Sequence, residues 1–146
     1  MSEMTRNAEF LNKVYANAQM ASESIAMVAQ KVQDKNLLSD LNTQHQQYTA
    51  ITSKATTELS NENQLPKEKN ALAQTAAWGG IQMNTLFDKT PDHIAEIMIQ
   101  GSVMGIIDMT RTIKQYGDVP QNIKALGYEL VTVEENNVQR MKNYLG

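Results

Sequence analysis

Seven positions near the start of the chain constrain its fold most. Leu11, Val14, Ala18, Ala21, Ile25, Val28 and Val32 are apolar or small, and they are separated by steps of 3, 4, 3, 4, 3 and 4. On a helix those positions form one stripe, and such a stripe has to be buried against a partner helix. The spacing predicts a first helix from about Thr5 to Asp34, with Arg6, Lys13 and Glu23 off the stripe.

The same spacing recurs along the chain. Leu38, Leu41, His45, Tyr48, Thr52, Ala55 and Leu59 predict a helix over 37–60, with Asp34 or Asn36 placed to cap it. Pro66 suits the first turn of another helix over 66–87, interrupted in its middle by Gly79-Gly80. Thr90-Pro91-Asp92 combines an N-cap, a first-turn proline and a first-turn acid. The helix it opens is expected over 91–116, on a seam of Ala95, Ile99, Ser102, Ile106, Met109, Ile113 and Tyr116. Ile97, Met98, Met104 and Ile107 widen that seam, so cover on two sides is expected, with the 66–87 helix as the natural second cover. Gly101 and Gly105, four apart, predict close helix approach, within the chain or across a dimer. Gly117-Asp118-Val119-Pro120 closes this helix and opens the last, with Asp118 near the N-cap and Pro120 in the first turn. The last helix runs to about Leu145 on Ile123, Gly127, Leu130, Glu134, Asn137, Met141 and Tyr144.

Short loops at 34–36 and 117–119 make two antiparallel hairpins. The connection between them is long and itself helical. At 1.5 Å per residue, a helix of about 22 residues spans roughly 33 Å and carries the chain back along the bundle. The expectation is therefore an all-α four-helix bundle over 1–146, one domain, with an additional helix in the crossover.

Composition narrows the function. Seven Gly and three Pro argue against a turn-rich β fold. A net charge of −3, with 13 basic and 16 acidic residues, offers nucleic acid no broad attraction. With no cysteine, a disulfide framework, a thiolate metal site and a cysteine nucleophile are all excluded. The most apolar stretch, 94–109, is broken by Glu96, Gln100 and Asp108, so no membrane span is expected. The first residues carry no apolar signal core, and a cytoplasmic protein is expected. Met20, Met27, Met83, Met98, Met104 and Met109 follow helical spacing in apolar faces and read as core filling rather than as copper ligands.

Several short pieces carry a family resemblance. They are Phe10-Leu11-Asn12-Lys13-Val14, Gln44-His45-Gln46-Gln47-Tyr48, Ala77-Trp78, Asp92-His93-Ile94, Glu134-Glu135-Asn136-Asn137-Val138 and Met141-Lys142. With the two-hairpin plan, they make the chain resemble the ferritin-like superfamily, among small bacterial proteins of unassigned function. Spore-coat-type ferritin-like bundles are one such context. The resemblance implies a di-iron or di-manganese centre, which takes a Glu from each of two helices and Glu-x-x-His from each of the other two. This chain departs from that pattern. It has two histidines; His45 has Asn42 three residues before it, His93 has Thr90, and Glu134 is followed three residues later by Asn137.

No catalytic residue, cofactor or metal site is therefore assigned. The expectation is a ferritin-like bundle that has lost its di-metal site. At its centre, His45, Glu134 and Asn137 would form a polar layer, with His45 bonded to Glu134, Asn137 or Tyr48. The role that follows is non-enzymatic, structural or interactive, with a homodimer or another protein as partner. Two other classes compete: a metalloprotein or oxidoreductase using His45 and Glu134, and a carrier of a small apolar ligand.

Overall fold

Residues 5–67 and 88–146 are described in a computed structural model of the protein. They form four helices: α1 (Arg6–Ala29), α2 (Lys35–Asn61), α3 (Pro91–Gln115) and α4 (Gln121–Lys142). The expected helix over 66–87, its Gly79-Gly80 pair and its covering role lie outside the described residues, apart from Pro66 and Lys67.

Side-chain caps explain where three helices begin. The Thr5, Asp34 and Thr90 side chains accept from the backbone N–H of Ala8, Leu37 and His93, and Pro91 fills the first helical turn of α3. α1 ends at Ala29, several residues before the expected Asp34, because the chain turns at Gln30 and leaves Asp34 free to cap α2. α4 differs from the expectation. Its N-cap is Pro120, which makes no side-chain bond. Asp118 instead takes a two-pronged bond from Arg6, whose Nε and Nη2 donate at 2.8 and 2.7 Å.

Cross-helix contacts fix the topology. Arg6, at the start of α1, reaches Gln115 and Asp118 at the end of α3, and Asn17 meets Gly105 midway. Along α2 and α4, Asp40 meets Arg140 and Tyr144, Tyr48 meets Asn137, and Lys54 meets Glu129. Both pairs are therefore antiparallel, as the α1–α2 and α3–α4 hairpins are. α3 starts at the same end of the bundle as α2, so the end of α2 and the start of α3 lie at opposite ends of the bundle. Two hairpins joined by one long connection was the expected plan.

One continuous apolar core fills the centre. α1 contributes Phe10, Leu11, Val14, Ala18, Ala21, Ile25 and Val28, so its predicted seam is buried except for half-exposed Val32. The α4 seam is also as expected, with Glu134 and Asn137 inside it. On α2 the buried face is Leu37, Leu41, Gln44, Tyr48, Ile51, Ala55 and Leu59. That is one residue out of phase with the expected seam at three positions. Gln44 takes the inward place assigned to His45, and Ile51 that of Thr52. On α3, Met98, Ser102, Gly105 and Met109 lie inside, and Val103, Met104 and Ile107 remain exposed.

Glycine lets α4 approach the other hairpin closely. A Cβ on Gly127 would lie 2.8 Å from Phe10 Cζ and 3.0 Å from Ile113 Cγ1. The ring of Phe10 thus occupies space that any other residue at 127 would fill. No helix among the described residues is long and apolar enough to cross a membrane.

Candidate functional site

Polar residues gather where all four helices meet. Asn17 comes from α1, Tyr48 from α2, Ser102 and Gly105 from α3, and Glu134 and Asn137 from α4. Glu134 is wholly buried, and Asn17, Ser102 and Asn137 nearly so. Asn17 Nδ2 donates to the Gly105 carbonyl at 3.1 Å, and Asn137 Nδ2 donates to the Tyr48 hydroxyl at 3.4 Å. These two bonds join the α1–α2 hairpin to the α3–α4 hairpin.

Glu134 lies against Gly105. A Cβ on Gly105 would fall 2.1 Å from Glu134 Oε2, 2.9 Å from its Cδ and 3.3 Å from Asn17 Oδ1. The missing side chain of Gly105 is therefore the space the carboxyl uses. The small-residue spacing on α3 pointed to a close approach, and at Gly105 the approaching group is this carboxyl. Both Glu134 oxygens and Asn17 Oδ1 are buried without a hydrogen-bond partner among the described residues. In such surroundings the charged form of a carboxyl is strongly disfavoured. Burial, reinforced by the nearby negative charge of Asp108, raises the Glu134 pKa well above the ordinary carboxylate value. Burial also raises the Tyr48 hydroxyl, and the neighbouring Glu134 adds to that effect. The layer thus gathers one carboxyl, two amides and two hydroxyls, with burial holding the carboxyl towards its protonated form.

Two of the three residues expected in the polar layer, Glu134 and Asn137, are at its centre. The third is elsewhere. His45 is half-buried on the flank of the α1–α2 hairpin, where its Nε2 lies 3.4 Å from Ser22 Oγ. Ser22 is five residues beyond Asn17 on α1, about 7.5 Å along the helix axis. The expected bond from His45 to Glu134, Asn137 or Tyr48 is replaced by this one. The sequence reading missed Asn17 altogether, had Ser102 only as a seam position, and missed that Gln44 on α2 is buried. Ile51 carried the missing signal for Gln44: choosing the apolar residue over Thr52 sets the α2 phase, and that phase turns Gln44 inward.

The di-metal centre implied by the family resemblance is not matched by these residues. Four carboxylates and two imidazoles are required, and this layer offers one carboxyl and no imidazole. Hard divalent ions seek oxygen anions, and the amides and hydroxyls here supply none. Among the described residues no three His, Asp or Glu side chains gather as metal ligands.

No protein-family model matches the chain, and no curated protein matches it. Among solved structures it is similar to the crystal structure of a DUF305 fragment from Deinococcus radiodurans. The TM-score is 0.75, with 11% identity over 98% of this chain and 97% of that one. At that identity the likeness is one of fold. It spans nearly the full length of both chains and supports the helical-bundle architecture described above.

Proposed function

We propose that this chain is a ferritin-like bundle in which the di-metal centre has been replaced by a neutral polar layer, and that it works non-enzymatically through its surface. One observation carries the reading: Glu134, the carboxyl buried at the centre, faces Gly105 and Asn17, pairs with no basic side chain among the described residues, and has its ionisation opposed by the charge of Asp108. A redox or hydrolytic metal centre needs charged ligands there. A bundle that only has to hold its register needs a packed polar layer of this kind. The His45–Glu134 metal pair loses support, because His45 has Ser22 as its partner on the flank.

The outer face of α3 supports an interaction role. Val103, Met104 and Ile107 are 40–47% exposed along it, and apolar side chains grouped on one helix face suit a protein partner. The reading places the chain in a bacterial cytoplasm as a structural or interaction module that self-associates through this face. In sedimentation velocity it is expected to show a concentration-dependent dimer, weakened by Met104→Glu.

Metal loading tests the central part. Protein purified without chelator or affinity tag is incubated anaerobically with Fe(II) and Mn(II), desalted and analysed for metal. The expected content is well below one ion per chain. Near-stoichiometric metal that disappears in Glu134→Gln would overturn the reading and restore metal chemistry.

A further inference from the structure

Glu134 is buried where the two hairpins meet, and the polar layer uses it in no hydrogen bond. We infer that Glu134 is a proton-operated latch on the seam between the hairpins: protonated, it lets α4 close on α1 and α3, and ionised, it drives the seam open.

The geometry gives the reason. A neutral carboxylic acid without partners forfeits hydrogen bonds it would make in water, which is a modest cost. A carboxylate in the same place forfeits its hydration with no opposite charge in return, which is far larger. None of the four described helices packed around it supplies a compensating group. α1 presents Asn17, whose Oδ1 is itself an unpartnered acceptor. α2 presents the Tyr48 hydroxyl, and α3 presents the Gly105 backbone and the like charge of Asp108. On α4 itself the next residue, Glu135, is exposed. Among the described residues no group relieves an ionised Glu134, which leaves water.

The helices pack more extensively within each hairpin than between hairpins, so the seam is the weaker junction. Within each hairpin, short loops hold the helices together. Between hairpins the polar ties among the described residues are the two amide bonds in the layer, the bonds from Arg6 to the Gln115 carbonyl and from the Tyr144 hydroxyl to Asp40, and the ion pairs Arg6–Asp118, Lys54–Glu129 and Arg140–Asp40. The Arg6–Asp118 and Lys54–Glu129 pairs are exposed on both sides and hold weakly. Parting the hairpins at mid-height hydrates Glu134 without unwinding any helix.

The inference rests on the neutral-layer reading above. Metal content of the same samples, measured alongside, separates failure of the latch from failure of that reading. Amide hydrogen exchange is followed by mass spectrometry on the full chain from about pH 5 to about pH 9, corrected for intrinsic base catalysis. Seam peptides around Asn17 and Glu134 are expected to show an opening constant that rises up to tenfold per pH unit, until the raised Glu134 pKa is passed. Glu134→Gln is expected to be flat, and Glu134→Met provides a second neutral side chain should the amide fold poorly. Asp108→Asn is expected to end the rise at lower pH, because it removes the charge that opposes ionisation. A pH-independent seam, or the same rise in both neutral variants, would overturn the latch. So would a rise shared equally by all four helices, since that reports global unfolding.

Discussion

Adding one methyl group at Gly105 tests the packing around Glu134 directly. In an ordinary helix Gly→Ala is stabilising by about 1 kcal/mol, because glycine is the poorer helix former. Here the new Cβ would fall 2.1 Å from Glu134 Oε2 and 2.9 Å from Glu134 Cδ. An exposed glutamate would swing aside at little cost. This one has no solvent on any side, and Asn17 Oδ1 is 3.3 Å from the same point. Overpacking of a closed core costs about 1–3 kcal/mol. Gly105→Ala is therefore expected to be destabilising by up to about 2 kcal/mol after the helix gain is subtracted. In a Glu134→Ala background the obstacle is gone, and the same methyl is expected to be neutral or to stabilise by up to about 1 kcal/mol. Urea unfolding followed by helical circular dichroism measures all four corners of the cycle. The coupling between the two sites is expected to be about 1–3 kcal/mol. Additivity within about 0.5 kcal/mol would show that the carboxyl does not fill the space beside Gly105.

Three further outcomes follow from other parts of the structure. Gly127→Ala is expected to destabilise by about 1–2 kcal/mol, because its Cβ meets Phe10 and Ile113, and Phe10→Leu should relieve part of that loss in the same unfolding assay. Glu134 has a folded-state pKa above its unfolded value, so its contribution is fully present at low pH and is lost as pH rises. Between the ordinary carboxylate value and the raised one, urea stability is expected to fall by up to about 1.4 kcal/mol per pH unit, and Glu134→Gln should remove that slope. Asp40 accepts from the Tyr144 hydroxyl and pairs with Arg140; burial first, and then the bond to Asp40, push the Tyr144 hydroxyl up to about 12. Asp40→Asn is expected to fray the last turn of α4, read as faster amide exchange over 140–145, with a smaller effect from Arg140→Ala.

Much of this architecture is legible in the chain because helical periodicity and caps are local signals. The α1 and α4 seams each offer one apolar phase, and the structure buries those phases. The Thr90-Pro91-Asp92 start is likewise complete within a few residues. α2 is harder because Leu37 and Leu38 allow two adjacent phases, and Leu41, Tyr48, Ala55 and Leu59 belong to both. The polar layer was half legible. Glu134 and Asn137 lie on an unambiguous seam. Asn17 sits beside the α1 stripe rather than on it, and its inward turn depends on the Gly105 carbonyl of a helix 88 residues away. Asp118 illustrates the same limit. As a cap it is a sound local choice, and an Arg6 guanidinium 112 residues earlier offers two bonds instead. Long-range partners of that kind leave no trace in local spacing.

The protonation state of Glu134 is the most direct test of the account. Infrared difference spectra of wild-type protein and Glu134→Gln, recorded at neutral pH, isolate this one side chain. The account predicts the carbonyl stretch of a protonated carboxylic acid in the wild type, absent from the variant. A difference spectrum showing only the paired bands of an ionised carboxylate would contradict it, and would mean that a cation or a water path reaches the centre of the bundle.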